Sequence, residues 1–355
     1  MSNSARHCVR AGKLVLGNFL VLALGIISLE LFFGDWFGHR LWGLLCDVQF
    51  VYSAKAIYGV EKTTHYVRDT QCLRGRYDPL SIDVITVGGS ATDQRYLTEG
   101  ETWQDRAAAY FAQHGRRLSI ANAGVDGQST IGHLWDFSHW FPLLSSQPKF
   151  YLFYVGVNDI YRTTPSIGYD EHVQPVDSVL RKIKARSALY RLKRTVVGMW
   201  EAREMGVGHK RIDFAKKPYT EKGILSDFSF YKKYLREIFL PRLDRLVRAT
   251  NAIGSQPIFV TQRTYMWKEE NGRIFGVAKT SKVGGIVVNG IDRYLMEIAM
   301  ADAILNFCKE RQLTCIDGHR ALGASEDFYD FAHNTPQGAE RLGAYIGARL
   351  LDVIH

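Results

Sequence analysis

Proline is scarce in this chain, nine residues in 355, and cysteine scarcer still, with five. Few prolines, plentiful aromatics (12%) and no low-complexity tract or internal repeat exclude a disordered, collagen-like or repeat protein. The cysteines show neither a disulfide framework nor zinc spacing. Cys8 precedes a long apolar run; Cys46, Cys72, Cys308 and Cys315 follow it. An oxidising compartment would permit the last four to pair, but their spacing favours free, buried thiols. No His/Cys cluster has metal-ligand spacing, and no glycine-rich phosphate loop of dinucleotide or P-loop type occurs. No metal and no cofactor is therefore expected. A nucleic-acid recognition motif is missing too.

What is present begins with that apolar run. Arg6, Arg10 and Lys13 precede "LVLGNFLVLALGIISLELFF", Leu14 to Phe33, in which only Glu30 is charged. About 20 apolar residues at 1.5 Å rise span a hydrocarbon core of roughly 30 Å. Basic residues ahead of the run favour a cytoplasmic N-terminus over residues 1–13, and Trp36, Phe37 and Trp42 read as an outer aromatic belt. Gly34-Asp35-Trp36 is a poor signal-peptidase site, so 14–33 reads as an uncleaved single-pass anchor. A membrane-proximal connection of little periodicity, 34–80, follows. Behind the membrane, a nucleic-acid partner is not expected.

Beyond residue 80, strand and helix patterns alternate. Short apolar runs lie at 82–88, 117–124, 149–156, 256–263 and 313–318. Amphipathic helices are expected at 101–115, 227–254, 289–312 and 336–354, the last with Pro336 at its first position. Such alternation predicts a three-layer α/β/α domain with a five-stranded parallel sheet over 81–355, its ligand site beyond the carboxyl ends of the strands. Two segments interrupt it. One is a helical insertion at about 160–226 with an amphipathic run through Val176, Val179, Ile183, Ser187 and Tyr190. The other, 268–288, reads as a glycine-rich loop or hairpin. Residues 181–217 hold twelve Lys/Arg against three Asp/Glu, matching the whole chain's charge of +9. That density reads as a solvated helix face, or as a surface for an acidic glycan or anionic headgroups.

Acyl transfer by a nucleophile needs a hydroxyl, a base, an orienter for the base and donors for an oxyanion. Candidates for all four follow the predicted strands. Ser90 closes "VGGS" and Gly127 lies in "GVDGQS". Asn158 lies in "GVND", and Asp330 and His333 in "DFAH" before the last helix. Gly124 competes with Gly127, and Asp317 with His319 competes as the carboxylate–imidazole pair. Asp330 and His333 are preferred, because the Asn334-Thr335-Pro336 helix start fixes their geometry. The positive end of that helix would disfavour imidazolium. Asp159 is expected to buttress its loop.

These four blocks resemble the SGNH, or GDSL-like, hydrolase family over residues 80–355. The resemblance implies a flavodoxin-like fold and a set of roles. Ser90 would be the nucleophile, His333 the general base and Asp330 its orienter. Ser90 N–H, Gly127 N–H and the Asn158 carboxamide would form the oxyanion hole. One departure stands out: Gly89 precedes the serine where the family commonly has Asp. The Gly-Gly-Ser block and the following "TDQRYL" resemble a membrane-anchored bacterial branch linked to surface polysaccharides. That likeness implies an esterase removing an O-acyl group, such as acetyl, from cell-surface carbohydrate on the periplasmic or outer side of the cell membrane. The same triad could serve an O-acyltransferase, and the same fold a non-catalytic glycan-binding or assembly scaffold. Oligomeric state carries no expectation.

Overall fold

The computed structural model describes residues 3–34, 36, 44–166, 169, 170, 173, 183, 184, 186–205 and 209–354. Phe37, Trp42, Val176 and Val179 lie outside the described residues. Helix α1 (Asn3–Phe33) contains the apolar run. From Lys13 to Phe33 its mean hydropathy is 2.2 and none of it is buried, so by length and composition it can cross a membrane.

The expected featureless connection is instead folded from Leu44 onward. Strands β1 (Val48–Ser53) and β2 (Thr63–Arg68) form an antiparallel hairpin with Val48 opposite Arg68. This register brings the flanking Cys46 and Cys72 together, and they form a disulfide. A second disulfide joins Cys308 and Cys315 across a reversal at Gln312, whose φ is 55°. The four thiols expected to be free are thus paired. Their partners are set by strand register and a helix stop, which spacing alone does not display.

The sheet itself follows the alternation. Strands β3 (Val84–Gly88), β4 (Ile120–Asn122), β5 (Phe150–Val155), β7 (Gln256–Thr261) and β12 (Thr314–Ile316) pair in parallel in the order β12-β7-β5-β3-β4. Side chains alternate between the two faces because the strand repeat is two. Ile85, Val87 and Phe153 pack into one core, with Phe137, Leu246 and Met300. Val84, Leu152 and Tyr154 pack into the other, with Trp103, Leu342 and Ile346. Helices therefore cover both faces, α3 (Trp103–Gln113) and α9 (Pro336–Leu350) on the second, α4 (Thr130–His139), α7 (Leu240–Ala252) and α8 (Gly290–Arg311) on the first. This is the three-layer α/β/α fold. Strand β3 sits where the order reverses, so its carboxyl end opens at the topological switch point.

The single helix expected over 227–254 is instead α6 (Ser229–Tyr234) running through a π-turn, Leu235–Phe239, into α7. Pro241 has no N–H to close an ordinary turn, and the wider turn precedes it. Residues 219–288 carry short strands. Strand β6 (Tyr219–Thr220) pairs with β9 (Arg273–Val277), which also pairs with β8 (Trp267–Glu270). Strands β10 (Ser281–Val283) and β11 (Ile286–Val288) form a separate hairpin. Within the insertion, α5 spans Ala188–Met205.

Candidate active site

Strand β3 is buried along its whole length and ends at Gly88. Ser90 then opens the one-turn helix α2 (Ser90–Asp93), with the Gly89 carbonyl accepting the N–H groups of Thr92 and Asp93. A Cβ at Gly89 would collide with Asn158 Nδ2 and the Gln128 carbonyl. The glycine that departs from the commoner family pattern is therefore the surface against which the Asn158 carboxamide is pressed.

Ser90 Oγ lies 2.7 Å from His333 Nε2, and His333 Nδ1 lies 2.7 Å from Asp330 Oδ2. The order along this line is hydroxyl, imidazole, carboxylate. Asp330 Oδ1 also accepts the N–H groups of Ala332 and His333, each at 2.9 Å, so one carboxylate shapes the loop and aims the ring. Thr335 caps α9 by accepting the Gly338 N–H, and Pro336 occupies the first turn. Burial opposes charge on Asp330, but adjacent His333 and the loop N–H groups hold its pKa below the ordinary carboxylate value. Burial likewise opposes charge on His333. Asp330 and the more distant Asp126 outweigh it, and the imidazole pKa is raised. These carboxylates favour the charged ring, opposite in sign to the effect expected of the helix start.

Gly127 follows β4 in a left-handed conformation, φ 70°, a region L-residues with side chains rarely adopt. Asn158 follows β5 in a short turn, and its Nδ2 donates to the Gln128 carbonyl at 2.9 Å. A carboxamide carries two N–H donors, so one is held by the second block and one is left for a ligand. Asp159 accepts the Thr130 N–H and hydroxyl at 2.9 and 2.6 Å, pinning the third block to α4. Burial pushes its carboxyl up to about 6 against those hydrogen bonds. Gly124, the competing glycine, packs on the backbone of Asp93, and its carbonyl accepts from Arg68. It serves packing.

The rival pair is engaged elsewhere. Asp317 binds Arg320 at 2.8 Å and accepts from Thr261 Oγ1 at 3.1 Å. His319 stacks on Trp267 with ring centroids 5.4 Å apart. The imidazole that meets Ser90 is His333.

Two features escaped the sequence. The first is His209, in the insertion, whose ring lies 4.2 Å from that of His333. Its Nδ1 is 2.8 Å from the Tyr329 hydroxyl and its Nε2 is 3.7 Å from Asp126. An isolated histidine in a Gly-Val-Gly-His stretch offers no local signal, since its partners are distant in sequence. Partly exposed Tyr52 and Tyr96 continue the row outward, with centroids 5.5 Å apart and Tyr96 5.0 Å from His209. His209, Asp330 and His333 also bring one potential metal-ligand atom each within 4.8 Å of the others. Both ring nitrogens of His333 are engaged by Asp330 and Ser90, so an ion there would compete with that hydrogen-bonded line.

The second is the support beneath α2. Asp93 accepts from Tyr66 Oη and Arg68 Nη2, each at 2.8 Å. Arg74 donates to the carbonyls of Asp93, Gln94 and Leu97. Both arginines are buried, so the hairpin region braces the serine turn with charged groups taken out of water.

A family model for GDSL-like lipase/acylhydrolase matches residues 84–346, which include Ser90, Gly127, Asn158, Asp330 and His333. No curated protein matched the chain. Among solved structures, it is similar to a carbohydrate acetylesterase from Sinorhizobium meliloti at 11% identity. That match covers 77% of this chain and 100% of the other, with a TM-score of 0.39. It is similar to a catalytic mutant of an acetylxylan esterase from Geobacillus stearothermophilus at 12% identity, over 78% and 96%, with a TM-score of 0.42. A member of the lipolytic G-D-S-L family from Veillonella parvula matches at 15% identity over 77% and 98%, with a TM-score of 0.41. The family model spans most of the chain and all the residues that meet at the switch point, and on it the chain belongs to the GDSL-like lipase/acylhydrolase family as an SGNH-type ester hydrolase.

Proposed function

We propose that the protein removes an O-acyl group, such as acetyl, from a cell-surface carbohydrate through an acyl-enzyme on Ser90. The observation that carries this is the unbroken line from Ser90 Oγ through His333 to Asp330. His333 Nε2 takes the hydroxyl proton as the Oγ–carbon bond forms, and Asp330 holds the opposite ring nitrogen as donor. The oxyanion is received by the N–H groups of Ser90 and Gly127 and by the second N–H of Asn158. His333 then returns the proton to the departing sugar oxygen. Water repeats the sequence in reverse and releases the acid.

The carbohydrate half of the reading is supported by the partly exposed ring row Tyr52, Tyr96 and His209, on which the apolar face of a sugar ring can lie. The location is supported by two disulfides and by the apolar span in α1. Together they fit a single-pass protein of a bacterial cell membrane whose domain faces the periplasm or exterior.

The test is turnover of a soluble acetyl ester by the full chain. Wild type should hydrolyse it, and Ser90→Ala should lose about 10⁴-fold or more in rate. Turnover that survives this substitution contradicts the proposal, and no turnover of any acyl ester favours a binding scaffold. Adding a sugar acceptor then separates the two enzyme readings. Acyl transfer in preference to hydrolysis would identify an O-acyltransferase using the same serine.

A further inference from the structure

Among the described residues, helix α5 leaves an apolar stripe uncovered. Leu192, Val196, Met199 and Trp200 are 54–64% exposed, and Leu189 is 38% exposed. At 100° per residue these positions fall within an arc of about 100°. Half-buried Tyr190 and Val197 lie on another side of the helix, and Arg191 and Lys193 lie outside the arc. A contiguous patch of large apolar side chains on a protein surface marks something that covers it.

The start of α5 says what does. Glu30, the one charge in the apolar run of α1, accepts from Ser187 Oγ at 2.6 Å and from the Ala188 and Leu189 N–H groups at 2.8 and 3.1 Å. Trp36 Nε1 donates to it at 3.2 Å, and Arg191 donates to the Phe33 carbonyl. The carboxylate therefore caps α5, where a helix start favours negative charge. It also fixes that start within one turn of the end of the apolar span. A span of 21 residues is about as long as the hydrocarbon core is thick. With α1 inserted, Glu30 sits at the outer boundary and α5 begins at the same depth.

We propose that α5 is an interfacial helix that lays its apolar arc into the outer leaflet beside the anchor, with Lys184, Arg186, Arg191 and Lys193 on anionic headgroups. It would hold the catalytic domain at a set height and tilt above the bilayer. The proposal rests on the reading of α1 as a membrane span, and it is independent of the ester chemistry.

The test uses the full chain, with Cys8→Ser, in vesicles of phosphatidylcholine containing phosphatidylglycerol. Nitroxides are placed singly at Leu192→Cys, Val196→Cys and Met199→Cys on the arc. Lys193→Cys and Thr195→Cys serve off the arc, and Val21→Cys in the span. Thermal unfolding like that of the parent shows each variant is folded. The ratio of collisions with oxygen to collisions with a water-soluble nickel chelate should be about threefold or more higher on the arc than off it. It should also fall on the arc when the anionic lipid is omitted. Chelate access at every α5 position, with Val21→Cys in lipid, would overturn the proposal and leave the anchor standing. Chelate access at Val21→Cys as well would overturn both. Spin–spin broadening at Val196→Cys would show that a second copy of the chain covers the stripe, and would equally overturn it.

Discussion

At the residue scale, the proposed base His333 should set how the activity depends on pH. It must be neutral to take the Ser90 proton, and Asp330 and Asp126 raise its pKa above that of a free imidazole despite burial. The rate should therefore rise with pH through a limb on the alkaline side of about 6.5. Asp330→Asn removes the closer carboxylate. It should shift that limb to lower pH and cut kcat by about 10⁴-fold through loss of tautomer and orientation. A pH–rate profile of both proteins checks the sign; an unchanged limb in Asp330→Asn would deny the pairing its role. Asn158→Ala is a separate probe, because it removes a donor without touching the line from Ser90 to Asp330. Its kcat should drop about 10²–10³-fold with little change in KM, as steady-state kinetics would show. Substitution of His209, which touches both Tyr329 and the His333 ring, would report on positioning instead of proton transfer.

At the scale of elements, the hairpin region under the serine turn is the unexpected part. Arg68 is buried against Asp93, and a buried pair that loses one partner leaves an uncompensated charge. Arg68→Met should destabilise the fold by about 3–5 kcal/mol, readable in denaturant unfolding, and should slow ester turnover because Asp93 belongs to the same short helix as Ser90. The sequence of β2 explains why this element went unread. Thr64, Tyr66 and Arg68 alternate inward, so a buried strand face carries a guanidinium where a pattern reader looks for an aliphatic residue. By contrast β3, β5 and β7 were legible, because strands covered on both faces are continuous apolar runs. The side chains that form the line from Ser90 to Asp330 were legible for a related reason. Ser90 is marked by two glycines at a strand end, and Asp330 and His333 lie three residues apart in one loop. His209 and the cysteine pairs were not, since each depends on which distant segments the fold brings together.

At the scale of the whole molecule, α1 precedes a domain whose candidate site lies at the carboxyl ends of the sheet strands. The GDSL-like fold supplies the site, the hairpin region braces it, and the insertion brings His209 over it and carries α5 beside the apolar span. In that arrangement the proposed ester chemistry belongs to the sheet, and the proposed membrane attachment to the segments added around it.

The functional reading depends on Ser90 being the group that attacks an acyl carbon with His333 as its base. Treating the full chain with a serine-directed phosphonate and mapping the adduct by mass spectrometry asks this most directly. The expected result is a single modification on Ser90, lost in Ser90→Ala and strongly slowed in His333→Ala. Labelling at another residue, or at Ser90 with an unchanged rate in His333→Ala, would contradict it.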